Sequence, residues 1–187
     1  EKRGFGHAVY QAAQFAGNEP VLLLLGDTLY RSDSNKPCAL QMVEEYERCS
    51  SLMVSIHSIP LAEVSRYGIL HGVWEDKART ILHVSTMMEK PKASYAEEFL
   101  GVRNKDGEKE YYSVFGQYIL TPEVFAQLHE DIMQKEFDHD LTSEIELTSA
   151  LEAVRKRSGM IGVRLQGRMY DMGNPQALVA AVAAFWE

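Results

Sequence analysis

Cysteine is scarce: two thiols in 187 residues, Cys38 and Cys49. Both fall in one predicted helix, and at a rise of ~1.5 Å per residue they stand ~16 Å apart, too far to bridge each other. Unpaired thiols suit a reducing compartment, so the expected location is cytoplasmic. Positive charge is in the minority, with 19 basic against 27 acidic residues and a net charge of −8. The sequence shows no Lys/Arg cluster, which excludes a nucleic-acid duplex as the expected partner, because counterion release needs a basic face. An anionic small molecule is not excluded, since a few cations and backbone N–H groups suffice for a phosphate. No apolar run approaches the roughly 20 residues of a bilayer span, and no signal peptide is visible, so no membrane partner is expected. A starting Met is also lacking: the chain opens on Glu1 and runs at once into a glycine motif, which reads as a piece of something longer. No Ser/His/Asp or Cys/His arrangement for nucleophilic catalysis can be argued.

What remains is ordinary soluble material, 45% hydrophobic and 25% charged, enough for one domain over residues 1–187. "GFGHAVYQAAQFAG" reads as a Gly-rich turn feeding a helix with Val9, Ala12, Ala13 and Ala16 on one stripe and Gly17 as the stop. In "EPVLLLLGDTLYRS" the stretch from Val21 to Leu25 is apolar without a break, which predicts a strand buried on both faces, as in a helix-covered parallel sheet. "SNKPCALQMVEEYERC" predicts a helix capped by Ser34 or Asn35, with Pro37 in the first turn and Leu40, Val43 and Tyr46 inward. "SLMVSIHSI" is a second buried strand. The middle of the chain predicts two antiparallel hairpins, "YGILHGVW" with "TILHVSTMMEKP", and another turning at Asp106-Gly107. Helices follow from "TPEVFAQLHEDIM" and from "SEIELTSALEAVRKRSG", the latter with a capping box from Ser143 to Glu146. Short strands at "MIGVRL" and "GRMYDMG" and an Ala-rich terminal helix complete an α/β reading.

Charges that end apolar strands are the candidates for chemistry. Ligands of open α/β sheets gather at the carboxyl ends of strands, and Asp27 follows such a strand after Gly26. It can hold a cation such as Mg²⁺ beside phosphate oxygens, or merely cap the next turn. Asp171 in "YDMGNP" ends another strand before a glycine and can be a turn residue or, with Asp27, a second metal ligand. In "MMEKPKA", Glu89 can accept sugar hydroxyls and Lys90 can neutralise a phosphate, or the two form an exposed charged pair at a strand end. Gly4 and Gly6 can let backbone approach a nucleotide, while His7 reads as a cap, a base contact or surface. "EFDHDLTSEIE" matches no metal-ligand spacing. His57, His71 and His83 lie within strands and read as structural.

The order of the stretches is more telling than any one of them. "GFGHAV", "EPVLLLLGDTL", "YGIL", "MEKPKA", "GQYILTPEVF", "SEIELTSAL" and "YDMGNP" together resemble the nucleotide–sugar pyrophosphorylases, most of all the bacterial UTP–glucose-1-phosphate uridylyltransferases. The resemblance implies a Rossmann-like nucleotidyltransferase fold, a mixed sheet flanked by helices with antiparallel hairpins in the sugar-binding half. It implies transfer of a uridylyl group from UTP to glucose 1-phosphate, giving UDP-glucose and pyrophosphate, with Mg²⁺ as cofactor. Asp27 and Asp171 would hold the metal, and Asp27, Lys90 and Asp171 would be catalytic. Gly4, Gly6, His7 and Gly26 would lie along the nucleotide, and Gly68, Glu89 and Lys90 would bind the sugar phosphate. A homo-oligomer is expected.

Departures qualify the match. The opening strand and "GxGTR"-type loop of such enzymes are not in this chain, so the polypeptide alone is expected to lack uridylyltransferase activity, and the base and sugar are not fixed by the residues present. Ser143 and Ser149 replace the glycine and aspartate usual around "EIxLT", and the stretch between Pro91 and Gly116 is longer than usual. A nucleotidyltransferase for dTTP, CTP or GTP is an alternative. So is a non-catalytic relative that binds nucleotide–sugars as a regulator. A metal-dependent glycosyltransferase is disfavoured because Thr28-Leu29, not a D-x-D pattern, follows Asp27.

Overall fold

The structure is a computed structural model that describes residues 3–75, 77–104, 106–173 and 175–186, with the side chain of Asp171 outside that description. In chain order the elements are α1 (Phe5–Tyr10), α2 (Ala13–Ala16), β1 (Val21–Leu24), β2 (Thr28–Ser32), α3 (Cys38–Cys49) and β3 (Met53–Ile59). A 3₁₀ segment (Leu61–Arg66) leads to β4 (Gly68–Trp74) and β5 (Ile81–Glu89), followed by the short α4 (Ala93–Tyr95), a π turn (Ala96–Leu100) and β6 (Val102–Arg103). The chain continues through β7 (Lys109–Leu120), α5 (Pro122–Phe137), α6 (Leu147–Ser158), β8 (Ile161–Arg164), β9 (Gly167–Asp171) and α7 (Pro175–Trp186).

A seven-stranded mixed sheet runs β1-β7-β3-β8-β5-β4, with β6 appended to β7 and a further pairing of β4 with β7. That last pairing closes a ring, β7-β3-β8-β5-β4 and back to β7, in which every strand has two ladder partners. Only β3 and β8 run parallel among the described pairs. A separate ribbon joins β2 to β9, antiparallel, with Thr28 opposite Asp171.

Helical spacing explains what covers the sheet. In α6, Leu147, Ala150, Leu151 and Val154 recur at i, i+3, i+4 and i+7 and are all buried. In α5 the buried stripe is Val124, Phe125, Leu128 and Ile132. These two helices and Val9 of α1 form one core with Val54, Ile56, Leu70, Leu82 and Tyr112 of the sheet. On the opposite face Cys38 and Met42 of α3 pack with Met53, Phe115, Ile119 and Ile161. A third cluster joins Val64, Ile69, Ala96, Leu100 and Tyr111.

Several sequence expectations need correction. The greasy strand β1 is not a doubly buried parallel strand. Among the described residues it pairs with β7 alone, antiparallel, Val21 opposite Leu120, and Leu24 is 46% exposed. Apolar composition cannot distinguish a central strand from an edge strand, because that depends on which strands flank it. The inward face of α3 is rotated from the expected one: Tyr46 packs against the core as expected, but with Cys38 and Met42 buried beside it and Leu40 left exposed. Pro37 is its N-cap, with no side-chain cap. Ser34 instead accepts the Lys36 N–H within the preceding turn. The Ser143–Glu146 capping box does not form, since α6 starts at Leu147 with Glu146 as N-cap. Ser143 bonds Asp140 instead. The first helix breaks at Gln11-Ala12 into α1 and α2, and Gly17 ends the second with φ +59°. The two hairpins, the Asp106-Gly107 turn and Pro122 at the start of α5 stand as expected. Both cysteines are free.

Candidate active site

The ladder between β3 and β7 slips between Val54, opposite Tyr118, and Ile56, opposite Val114. Three residues of β7 thus face the single Ser55 of β3. Such a bulge leaves backbone groups without ladder partners, at a cost if they are buried. The buried Ser55 hydroxyl resolves this by donating to the Gln117 carbonyl and accepting the Gln117 N–H, each at 3.1 Å. Gly116, at the centre of the bulge, has φ +78°, and a Cβ there would run into the Tyr30 hydroxyl. Glycine is required on both counts. The bulge turns Val114, Gly116 and Tyr118 onto the wall of a cleft of about 700 Å³.

The other wall is the open end of the β4–β5 hairpin. Gly68 and Glu89 are opposite each other in register, and a Cβ on Gly68 would lie 3.0 Å from Glu89 Oε2. The bare glycine leaves the carboxylate its space. Thr148 of α6 donates its hydroxyl to Glu89 Oε2 at 3.2 Å, and Lys90 Nζ is 3.6 Å from Oε1. Lys90 has a left-handed backbone, φ +44°, although it carries a side chain and precedes Pro91. Its N–H donates to the Tyr67 carbonyl at 3.1 Å. A non-glycine residue in this region stores on the order of 1 kcal/mol or more, and such strain concentrates at ligand-binding positions.

The rim is completed by Gly26, Asp27 and Thr28, by Arg66 and by Phe5. Asp27 is exposed and accepts the Thr28 hydroxyl at 3.2 Å. The Asp27 carbonyl accepts the Met172 N–H at 2.8 Å, so the backbone after β9 lies against the loop that carries Asp27. Burial, with the Asp27 charge adding to it, pushes the Tyr30 phenol up to about 12, so it stays protonated at neutral pH. Burial likewise raises Tyr118. The cleft therefore offers two carboxylates, Asp27 and Glu89, two cations, Arg66 and Lys90, and the neutral phenol of Tyr118.

Of the residues singled out in the sequence, Gly26, Asp27, Gly68, Glu89 and Lys90 meet at this cleft. The Asp171 side chain lies outside the described residues; its backbone is opposite Thr28. Gly4 and Gly6 do not line the cleft among the described residues. The Gly6 N–H donates to the Ile145 carbonyl at 2.9 Å, and a Cβ on either glycine would press on that oxygen. They let α1 pack closely on the strand-like approach to α6, which sets Phe5 at the cleft. His7 sits on α1, 3.4 Å from Gln11 Nε2. Sequence reasoning missed Arg66, Tyr118 and Thr148. Thr148 stands inside the "SEIELTSAL" stretch, while Arg66 carries no pattern of its own. Among the described residues no three His, Cys, Asp or Glu side chains group as a metal cage.

Comparison with known proteins bears on the fold and the family. The "Nucleotidyl transferase" family model matches residues 1–186. The UTP–glucose-1-phosphate uridylyltransferase of Staphylococcus epidermidis is 31% identical over 179 residues, covering 96% of this chain and 54% of that protein. A relative of the same name, numbered 2, from Streptococcus pyogenes is 30% identical over 174 residues, covering 92% and 52%. The chain thus spans about half the length of the curated relatives it matches. A crystal structure of UDP-glucose pyrophosphorylase complexed with UDP-glucose superposes with a TM-score of 0.79 at 28% identity, covering all of this chain and 63% of that one. Fold, family model and relatives coincide, and the chain belongs to the nucleotidyl transferase family.

Proposed function

We propose that the cleft binds the sugar phosphate of a nucleotide–sugar, and that this chain serves uridylyl transfer from UTP to glucose 1-phosphate. The observation that carries the reading is the convergence of Glu89, Lys90 and Thr148 beside Gly68, facing Asp27 across one cavity. In such a transfer an oxygen of glucose 1-phosphate attacks the α-phosphorus of UTP. The bond to the β-phosphate oxygen breaks, and pyrophosphate leaves with its electron pair. No protein nucleophile is needed, so the work of the protein is to orient reactants and to neutralise charge.

Lys90 supplies a point charge for a phosphate. Glu89, steadied by the Thr148 hydroxyl, accepts hydrogen bonds from sugar hydroxyls in the space that Gly68 leaves open. Gly26 offers backbone beside Asp27 for the nucleotide, and Gly4 and Gly6, through the close packing of α1, place Phe5 at the cleft. The donor set fits Mg²⁺, because this ion keeps several waters and takes one or two carboxylates plus phosphate oxygens, not a closed protein cage. Asp27, exposed at the rim, would hold it together with Asp171, and the ion would neutralise charge developing on the phosphates.

Titration of the chain with UDP-glucose and Mg²⁺ in a calorimeter tests the reading. Asp27→Asn, Glu89→Gln and Lys90→Ala are each expected to weaken binding by more than ~1 kcal/mol, the scale of a charged hydrogen bond. Wild-type affinity in all three variants would show that the ligand goes elsewhere.

A further inference from the structure

The glycine motif that opens the chain sends its residues to different places. Neither Gly4 nor Gly6 lines the cleft among the described residues, yet Phe5 between them does. Its position comes from backbone bonds on either side. The Ile145 N–H donates to the Arg3 carbonyl at 2.7 Å, and the Gly6 N–H donates to the Ile145 carbonyl at 2.9 Å. This clasp holds Phe5 to the approach to α6, just before Thr148, whose hydroxyl donates to Glu89. Phe5 therefore stands at the Glu89 end of the cleft. Packing of α1 does not bury it, since Gly6 and Val9 are the buried residues of that helix and Phe5 is 45% exposed. The other described aromatic residues that line the cleft are Tyr67 and Tyr118. The Arg66 guanidinium lies over the Tyr67 ring at 5.5 Å, and Tyr118 is only 9% exposed. Phe5 is thus the lining ring with open apolar surface.

We propose that Phe5 is a sugar-specificity residue, an apolar platform for the C–H face of the pyranose whose hydroxyls donate to Glu89. The proposal rests on the sugar-phosphate reading above and extends it to the identity of the sugar. A pyranose is polar around its edge and apolar on its faces, so hydrogen bonds at the edge leave a face to be covered. Covering it with a phenyl ring removes apolar surface of both partners from water. In an α-linked sugar 1-phosphate the axial phosphate oxygen occupies one face near C1. The opposite face of glucose carries the axial hydrogens of C2 and C4 and is free to meet the ring. Galactose turns its axial O4 onto that same face. Stacking would then strip water from a hydroxyl against a ring that offers it no acceptor.

The experiment is calorimetric titration of the chain with UDP, UDP-glucose and UDP-galactose in the presence of Mg²⁺. The wild-type chain is expected to bind UDP-glucose about fivefold or more tightly than UDP-galactose. Phe5→Ser is expected to weaken UDP-glucose about fivefold and to leave UDP within about twofold of its wild-type affinity. Phe5→Leu keeps an apolar side chain at the head of α1 but loses the flat ring. It is expected to narrow the glucose–galactose gap to about twofold or less. Unchanged UDP-glucose affinity in both variants, equal binding of the two sugars by wild type, or a gap that survives Phe5→Leu would each overturn the proposal. Equal weakening of UDP and UDP-glucose would do so too, by assigning the ring to the base. Failure of the sugar-phosphate reading has a different signature, and takes this proposal with it: wild type then binds UDP-glucose no more tightly than UDP, or Glu89→Gln leaves that margin intact.

Discussion

Gly72→Ala is expected to lower folding stability by about 3 kcal/mol or more, and to weaken UDP-glucose binding in whatever fraction still folds. The β4–β5 ladder slips between His71 and Gly72. A Cβ at Gly72 would fall inside the van der Waals envelope of the His83 carbonyl oxygen, with the carbonyl carbon at 2.9 Å and Leu82 Cγ at 3.1 Å. The obstacle is backbone inside a paired strand, so it cannot swing aside as a flexible side chain would. Relief requires the hairpin to shift register, and register in this hairpin is what sets Gly68 opposite Glu89. Chemical denaturation measures the stability, and titration of the surviving fold measures the coupling to the cleft. A variant as stable as wild type, with unaltered binding, would show that the slip is not a fixed feature of the hairpin.

Acid is the second lever. Burial lowers the His57 imidazole to about 4, where its ring lies 5.0 Å from that of Phe115 and beside the Ser113 hydroxyl. The unfolded chain protonates this histidine near pH 6.5 while the folded chain resists until about pH 4. Between those values the unfolded state binds more protons, so stability falls as pH falls, and nothing is lost above the unfolded value. The loss from this one group approaches ~3 kcal/mol at pH 4, at ~1.36 kcal/mol for each pH unit between the two values. His57→Asn, which cannot titrate, is expected to flatten this part of the profile. Denaturation midpoints of both proteins between pH 7 and pH 4.5 provide the check. Parallel profiles would mean that water reaches the ring.

The sequence reading succeeded where a local signal and its cause coincide. Asp27 and the Glu89-Lys90 pair are charges that end apolar strands, and a strand end at a sheet rim is where a cleft forms. The hairpins were legible because alternation and turn residues act within a dozen positions. What failed to show depends on partners far along the chain. The edge position of β1 is set by β7, almost a hundred residues on, and the bulge that turns Gly116 and Tyr118 to the cleft exists because of Ser55. No feature of "VFGQY" announces it. The Gly4-Gly6 pair is legible as a demand for close approach, but the approaching group is the Ile145 carbonyl. The phase of α3 was misjudged because Cys38 and Met42, the residues it buries, are weaker apolar signals than Leu40.

The closed circuit of strands has a mechanical consequence. In an open sheet an end strand can peel away by giving up one ladder, but none of the five circuit strands can leave without breaking two. Opening there must be collective, which raises its free energy towards that of complete unfolding. Amide protons of Ile56, Leu70, Leu82 and Tyr112 are therefore expected to outlast those of β2 and β9 in deuterium exchange. Glu89 and Gly68 hang from the end of that hoop, so the sugar-phosphate pocket is anchored to the part of the molecule that yields last.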